Sequence, residues 1–280
     1  MDKKFIKITF QSNNEILMID GDYKLIKIDG IESSDYEINI ENYMQYDGGY
    51  TSKKRILPRD ISISFDYCNL RNDSVERQRL IKFFNPKSQG ILTVNYCGVE
   101  RYITYEVESF SEVRKSLHEP LSFNINLVCP NPYFKDIIIG ETISTLIGGW
   151  KFKFTLPFRF KQKGEPKKNI YNEGHVEVPV EIIFRGPAVN PSIINHATGE
   201  FIKVERTLTS DDTLYITTEF GNKKVEIERN GVRQNAFHYI DLDSTFFQLR
   251  VGDNMIEYTT DNELEPQSVE IRYRNRYLGV

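Results

Sequence analysis

Runs of alternating apolar and polar residues are the feature that most restricts the fold of this chain. In the segment 61–67 apolar and aromatic residues alternate with Ser and Asp, and the segments 121–129 and 176–184 show the same period. Successive side chains of a β-strand point to opposite faces of the sheet, so this period predicts strands with one buried face. With 18 Phe and 16 Tyr in 280 residues, the composition also favours strands over helices. We therefore predict an all-β fold with a minor helix.

The segment from Asp73 to Pro86 is the part of the first half that predicts a helix. Asp73 is placed to cap the first turn, and Glu76 three residues later completes a capping box. The predicted apolar face consists of Leu80, Ile81 and Phe84, and Pro86 ends the helix. Its basic residues are Arg71, Arg77, Arg79 and Lys82. They are typical of the solvated side of a helix packed on a sheet, with contact to nucleic acid as the alternative.

The sequence Cys129-Pro130-Asn131-Pro132 predicts a domain boundary, because two prolines within three residues cannot continue a central strand. We expect an N-terminal β domain with one α-helix at 1–134 and a C-terminal β-sandwich at 135–280. In the second half, strand-like runs at roughly 8–12-residue spacing alternate with turn residues such as Asn230-Gly231, as in sandwiches. Residues 152–158 read as a further strand and 161–168 as a loop.

Composition excludes several classes of function. A net charge of −4 without a clustered basic surface disfavours nucleic-acid binding, because phosphate contacts require grouped Lys and Arg. No signal peptide is apparent, and no apolar run approaches the ~20 residues of a membrane span, so no membrane partner is expected. Cys68, Cys97 and Cys129 lie in strand-like runs and are interpreted as buried, inert thiols of a chain folded in a reducing cytoplasm.

The residues that could carry chemistry form no known motif, so we predict no catalytic, cofactor-binding or metal-binding residues and no cofactor. The histidines, at 118, 175, 196 and 238, lack metal-ligand spacing and are interpreted as surface loop residues. Acidic residues that leave a glycosidase open as an alternative are Asp47, Asp60, Asp211, Asp212, Asp241 and Asp243. Residues 241–244 lack the glycine of a calcium loop and are interpreted as a turn at a strand end.

The segment 182–204 has an unusual order of breaks. An apolar strand end is interrupted at Gly186-Pro187 and Asn190-Pro191, and two apolar pairs, Ile193-Ile194 and Phe201-Ile202, flank a turn at 197–200. Further stretches that carry the same resemblance as this segment are 150–157, 169–174, 230–247, 271–280, 47–50 and 57–59. In this order they resemble the distal tail proteins (Dit), the siphovirus-type tail component family of phages that infect Gram-positive bacteria.

This resemblance implies an N-terminal ring-forming β domain, a C-terminal galectin-like β-sandwich and a structural, non-enzymatic role in the phage tail tip or baseplate. The implied partners are further copies of the chain in a homohexameric ring, the tail tube protein, and the tail-associated lysin or tail fibre base. The tape measure protein is a further candidate. DNA would pass through the lumen without specific binding, and an acidic wall would repel it. The implied location is the virion tail tip, after assembly in the host bacterial cytoplasm.

A closed ring uses a heterologous interface, in which two different patches of each subunit meet. We expect unpaired edges of the strands at 61–67 and 121–129 to form it, because exposed strand edges pair readily. The main alternative function is a carbohydrate-binding module that attaches the tail to the host cell wall. Trp150 could stack on a sugar, although its place at the start of an alternating run favours a core position. A wall hydrolase using the acids above is the third reading.

Overall fold

The computed structural model describes residues 6–69, 71–114, 119–136, 139–143, 146–147, 162–163, 166–261 and 269–280. The chain divides into two compact units, which we call the first unit (Met1–Asp136 with Tyr277–Val280) and the second unit (Ile137–Arg276). His118, Trp150 and the run predicted as a strand at 152–158 lie outside the described residues, as do residues 161, 164 and 165 of the predicted loop. Residues 162–163 and 167–168 of that loop lie in strands, so the loop prediction is wrong there.

The first unit contains most of the strands predicted for the first half, and one helix. Its elements are β1 (Ile6–Ser12), β2 (Glu15–Met18), β3 (Tyr23–Asp29), β4 (Tyr36–Asn42), β5 (Gly49–Ile56), β6 (Arg59–Tyr67), α1 (Asp73–Phe83), β7 (Gln89–Tyr96), β8 (Val99–Val113), β9 (Leu121–Cys129) and β10 (Phe134–Lys135).

The second unit contains shorter strands, which are listed here to the end of the chain. They are β11 (Ile139–Ile143), β12 (Leu146–Ile147), β13 (Gln162–Lys163), β14 (Lys167–Asn172), β15 (Val180–Arg185), β16 (Ala188–Val189), β17 (Ser192–Asn195), β18 (Glu200–Lys203), β19 (Thr207–Leu208), β20 (Asp212–Thr217), β21 (Lys224–Arg229), β22 (Val232–Asn235), β23 (Gly252–Thr259), β24 (Val269–Tyr273) and β25 (Arg276–Tyr277). A 3₁₀ turn, Phe237–Tyr239, follows β22.

The main sheet of the first unit has the strand order β2-β1-β7-β8-β9-β6-β3, with β10 and β25 paired beside it. The alternation of β6 and β9 is confirmed, since their apolar side chains are buried in register from Ile61 opposite Leu127 to Tyr67 opposite Leu121. Their predicted role as sheet edges is wrong. Strand β6 pairs with β9 and β3, and β9 pairs with β8 and β6, so both strands are internal. The period of a strand shows which face is buried, but not what lies beside it.

The helix is confirmed, but its predicted cap is wrong. Asn72 occupies the N-cap without a side-chain hydrogen bond, and the Glu76 carboxylate accepts a hydrogen bond from the Tyr23 hydroxyl instead. Leu80 is buried as predicted, whereas Ile81 is exposed. Phe84, just after the helix, packs edge-on against Phe10 with 5.1 Å between ring centroids. Glu76 thus bonds to Tyr23, which is distant in the sequence, and does not form the predicted capping box.

The second unit is a β-sandwich, as predicted. One sheet has the order β11-β24-β15-β20-β21-β22 and the other β14-β23-β17-β18. Ile182 and Ile216 of the first sheet and Ile193 and Ile256 of the second are fully buried in one core. A two-residue turn joins β21 and β22, and its residues Asn230 and Gly231 both have positive φ, as a type I′ turn requires.

The last four residues belong to the first unit, whereas the sequence predicted a second domain extending from 135 to 280. The unit boundary follows Asp136, two residues after the predicted one. Residues 277–280 join the first unit because Arg59, 2% exposed, donates hydrogen bonds to the carbonyls of Leu278, Gly30 (2.7 Å) and Pro132 (2.9 Å). The Arg101 guanidinium lies 3.5 Å from the centre of the Tyr277 ring.

Candidate assembly interface

Strands β4 and β5 form a hairpin that we call the arm (residues 36–56). Among the described residues, β4 and β5 pair with each other and with no other strand. Their register runs from Tyr36 opposite Ile56 to Asn42 opposite Gly49, with a bulge after Asn39. Nearly every residue of the two strands is exposed. Both outer edges of the arm therefore present backbone donors and acceptors to other molecules.

The arm is amphipathic but its apolar face has no cover. Tyr36, Ile38 and Ile40 alternate along β4 and so share one face, where they are 46%, 51% and 66% exposed. The intervening side chains are polar: Glu37 pairs with Arg55, and Glu41 accepts a hydrogen bond from Tyr50. Large side chains at the tip, Tyr43, Met44 and Tyr46, are also exposed.

An uncovered apolar face of this size has a physical consequence. Isolated two-stranded hairpins are marginally stable in water, and period-two alternation normally accompanies packing of one face. Contiguous exposed apolar patches mark sites of interaction with other molecules. The arm is therefore the strongest candidate for an assembly surface in the first unit. Its signal was readable in the sequence as the alternation of Tyr36, Ile38 and Ile40 with Glu and Asn.

A second feature of the first unit is the outer edge of β2. This strand pairs with β1 on one side and ends the sheet on the other. Ile16 and Met18 are exposed beside a cavity of about 320 Å³. The cavity is lined by Ile16, Leu17, Met18, Asp20, Asp22, Tyr23, Tyr67, Glu76 and Arg79. We call this edge with its cavity the receiver.

Acidic side chains dominate the electrostatics of the receiver. The Arg79 guanidinium bridges Glu15 at 2.7 Å and Glu76 at 3.0 Å, and Asp22 accepts a hydrogen bond from the Asn69 amide at 3.1 Å. Burial of the Tyr23 ring, together with its hydrogen bond to Glu76, raises the pKa of that hydroxyl far above its usual range. The hydroxyl thus stays neutral and donates, and Arg79 offsets part of the negative charge.

The second unit carries an exposed aromatic side chain, Tyr171, on the outer face of its four-stranded sheet. Tyr171 of β14 is exposed and lies opposite Asp253 of β23. Asp253 accepts a hydrogen bond from the Asn169 amide at 2.6 Å. An exposed ring beside amide and carboxylate groups is the arrangement with which protein surfaces stack against sugars.

The acidic residues singled out in the sequence do not converge on one site. Asp212 is buried and forms two hydrogen bonds with Arg229, at 2.7 and 2.8 Å. The Arg229 guanidinium, assisted by Thr209, holds the pKa of that carboxyl well below its usual range. Asp47 and Asp60 are exposed residues of the first unit. Asp212 and Arg229 therefore form a structural ion pair that links β20 to β21.

The segment 241–244 is a turn, as the sequence predicted. The Asp241 carboxylate accepts a hydrogen bond from the Asp243 amide at 2.8 Å, and its carbonyl accepts one from the Ser244 amide at 3.1 Å. The Ser244 hydroxyl accepts from the Lys203 amide at 2.9 Å. These local bonds account for the conformation of the segment.

The described histidines and cysteines form no cluster that could hold a metal ion. His196 contacts Glu257 at 2.6 Å, and the His238 ring lies against Tyr239. Burial raises the pKa of the Cys129 thiol to about 12. Cys68 and Cys97 are exposed, so the prediction that all three thiols are buried is wrong for two. Cys97 occupies the turn between β7 and β8 with a φ of 51°, outside any strand face.

The described residues show neither a metal-binding cluster nor a membrane-spanning helix. They contain no group of three or more His, Cys, Asp and Glu side chains arranged to hold a metal ion. Nor does any helix within the described ranges combine the length and the apolar character needed to cross a membrane.

Comparison with known sequences gives a family match for most of the second unit. Residues 173–277 match the family model described as the siphovirus-type tail component, C-terminal domain. No curated protein matches the chain in sequence.

Comparison with solved structures covers nearly the whole chain. The crystal structure of SPP1 Dit (gp 19.1), described as a paradigm of the hub adsorption apparatus in Gram-positive infecting phages, matches with a TM-score of 0.71 at 13% identity, over 97% of this chain and 99% of that one. The phage P2 baseplate in its activated conformation with Ca matches with a TM-score of 0.55 at 12% identity, over 96% and 98%. The same baseplate with Sr gives 0.57 at 11% identity, over 96% and 98%. Residues 173–277 are thus similar to the C-terminal domain of the siphovirus-type tail component family, and the chain as a whole has a fold similar to that of SPP1 Dit.

Proposed function

We propose that this phage tail component is a ring-forming structural protein of the tail tip, which joins the tail tube to the host-binding or wall-degrading apparatus below it. The fold and the family match support a structural role in a tail or baseplate. In this proposal the protein acts by shape and self-association, without catalysis. It is located at the tip of the virion tail after assembly in the host cytoplasm.

The observation that carries the proposal is the uncovered apolar face of the arm. An apolar face formed by Tyr36, Ile38 and Ile40 is stable in water when another molecule covers it, and a neighbouring copy of the chain is always present during assembly. Repetition of one such contact around an axis closes a ring, and the related tail proteins lead us to propose six copies.

The proposed partners above and below the ring are the tail tube protein and the tail-associated lysin or tail fibre base, with the tape measure protein as a further candidate. DNA passes through the lumen without specific binding. The net charge of −4 supports this last part, because a mildly acidic wall does not retain phosphate.

Substitution on the arm tests the ring. We expect the purified protein to give six-fold rings in negative-stain microscopy and a hexamer in native mass spectrometry. Ile38→Lys combined with Ile40→Lys places two charges on the apolar face and should leave a folded monomer. Asn39→Lys, on the opposite face of the same strand, is the matched control and should still form rings. A wild-type protein that remains monomeric at high concentration would refute the proposal.

A second candidate function, binding to cell-wall carbohydrate, is favoured by one observation. Tyr171 presents an exposed ring beside Asn169 and Asp253 on the outer face of the sandwich. If this face binds sugar, the full chain should bind a cell-wall glycan array, and Tyr171→Ala should abolish that binding while leaving the melting temperature unchanged. No binding by the unmodified chain would exclude this function.

A further inference from the structure

We propose that the arm of one copy adds as an extra strand to the receiver, the outer edge of β2, in the next copy. This inference rests on the proposed ring and names the surface that receives the arm. Strand addition at a free edge satisfies backbone donors and acceptors on both partners, while side chains fix the register. Both partners meet the requirement, since β2 ends its sheet and the arm has two outer edges.

Charge complementarity selects the strand of the arm that docks. Strand β5 contains three consecutive basic residues, Lys53, Lys54 and Arg55. The receiver contributes four carboxylates, from Glu15, Asp20, Asp22 and Glu76, against one arginine, Arg79. Opposite charges that face each other across an interface steer association and penalise wrong partners.

The cavity beside β2 suits a long basic side chain. Its apolar wall includes Ile16 and Met18, and acidic groups lie around it. Lysine and arginine bury their aliphatic stems against apolar surface while the charged end remains near polar groups. A cavity of about 320 Å³ has room for such a stem. Lys53 or Lys54 of an arriving arm fits this chemistry.

The other free edge of the sheet is a poorer partner. Strand β3 carries Lys24 and Lys27, and its pairing with β6 is interrupted by a bulge between Leu25 and Lys27. Lys24 would repel the basic strand β5, whereas Lys27 is paired with Asp29 of the same strand. Bulges also twist an edge away from further pairing. The receiver at β2 has no such bulge in its pairing with β1.

The arm and the receiver are different patches of the same unit. A head-to-tail contact between two different patches is the heterologous interface that a cyclic assembly needs. Each copy then donates one arm and accepts one, so one edge of the arm and the outer edge of β2 are paired in every copy of a closed ring. Side chains of the docked strand lie beside Ile16 and Met18, which are exposed in the isolated chain.

Disulfide cross-linking tests the contact in the full-length chain. The exposed native thiols are first removed by Cys68→Ser and Cys97→Ser, and the buried Cys129 is left in place. One protein preparation receives a single cysteine in the arm, in turn Thr51→Cys, Lys53→Cys and Arg55→Cys. A second preparation receives Met18→Cys in the receiver. The two are mixed, allowed to assemble and oxidised.

We expect a covalent dimer between at least one arm variant and Met18→Cys. The control receiver is Ile26→Cys on β3, whose native side chain is similarly exposed. This control should give less dimer by a factor of about ten or more, because a disulfide requires Cβ atoms within about 4 Å of each other. Cross-linking of both sites on one chain should give a ladder of covalent oligomers.

The outcomes separate this inference from the proposed function. If native mass spectrometry shows hexamers but no arm variant links to Met18→Cys, the receiver is wrong and the ring stands. Preferential linkage to Ile26→Cys also overturns the receiver. If every preparation is monomeric, ring and receiver fail together. Thermal melts of each variant against the Cys68→Ser, Cys97→Ser parent verify that the chains are folded.

Discussion

At the scale of single residues, Arg59 connects distant parts of the first unit through its hydrogen bonds. Its buried guanidinium serves carbonyls from three separate segments, at Gly30, Pro132 and Leu278. Nothing in the local sequence predicts this, because the three acceptors are distant along the chain and become neighbours only in the folded unit.

We predict that Arg59→Met destabilises the first unit by about 3 kcal/mol, since three half-buried carbonyls lose a charged donor. The measurement is urea unfolding followed by circular dichroism. Arg55→Met is the matched control: Arg55 lies four residues earlier on the exposed arm, and its loss should change stability by less than about 0.5 kcal/mol. Equal effects of the two substitutions would contradict the role assigned to Arg59.

Because of Asp212, we expect the stability of the second unit to depend on pH. Its pKa is held below the usual value in the folded state by Arg229 and Thr209, so its contribution to stability is present above the unfolded pKa of about 4 and is lost as the pH falls below it. Asp212→Asn should lower the melting temperature by roughly 5 °C at neutral pH.

The same substitution should also flatten the decline of the melting temperature between about pH 5 and pH 2.5, as measured by differential scanning calorimetry. Asp211→Asn, at the exposed neighbouring position, should reproduce the wild-type curve. A wild-type melting temperature of the second unit that does not fall over this pH range would refute the linkage.

At the scale of elements, alternation predicted the strands β6 and β9, and the dipeptide Asn230-Gly231 predicted its turn, because these signals are local. Strand neighbours were not predictable in the same way. The pattern at 61–67 reads identically in a central and an edge strand, so the edges were misassigned.

The run from Val176 was predicted as one strand, but β15 begins at Val180. Pro179 supplies no ladder donor, and Val178 instead forms an isolated bridge with Leu249. The sequence contains the alternation that marks the arm as part of the candidate assembly surface. It does not reveal the receiver, because that surface depends on which strand ends the sheet.

Removal of Tyr277–Val280 should destabilise the first unit. These residues supply one acceptor for Arg59, the ring beneath Arg101, and the Val280 amide that donates to the Ile31 carbonyl at 3.0 Å. A chain that stops after Arg276 should lose several degrees in the transition of the first unit, roughly as Arg59→Met does. A calorimetric trace identical to that of the intact chain would contradict this.

At the scale of the whole molecule, ring formation should link stability to concentration. Assembly stabilises the folded first unit by mass action, so its transition temperature should rise over a roughly 100-fold range of protein concentration. The transition of the second unit should stay constant, since the arm and the receiver both lie in the first unit. In the Ile38→Lys, Ile40→Lys variant neither transition should move.

The return of residues 277–280 to the first unit constrains the order of events during biosynthesis. These residues leave the ribosome after the whole of the second unit has been translated. A nascent chain can complete the β-sandwich earlier, but the pocket around Arg59 stays unfilled until synthesis has passed residue 278. Polypeptides that terminate before residue 277 therefore lack one acceptor of Arg59 and carry an incomplete first unit.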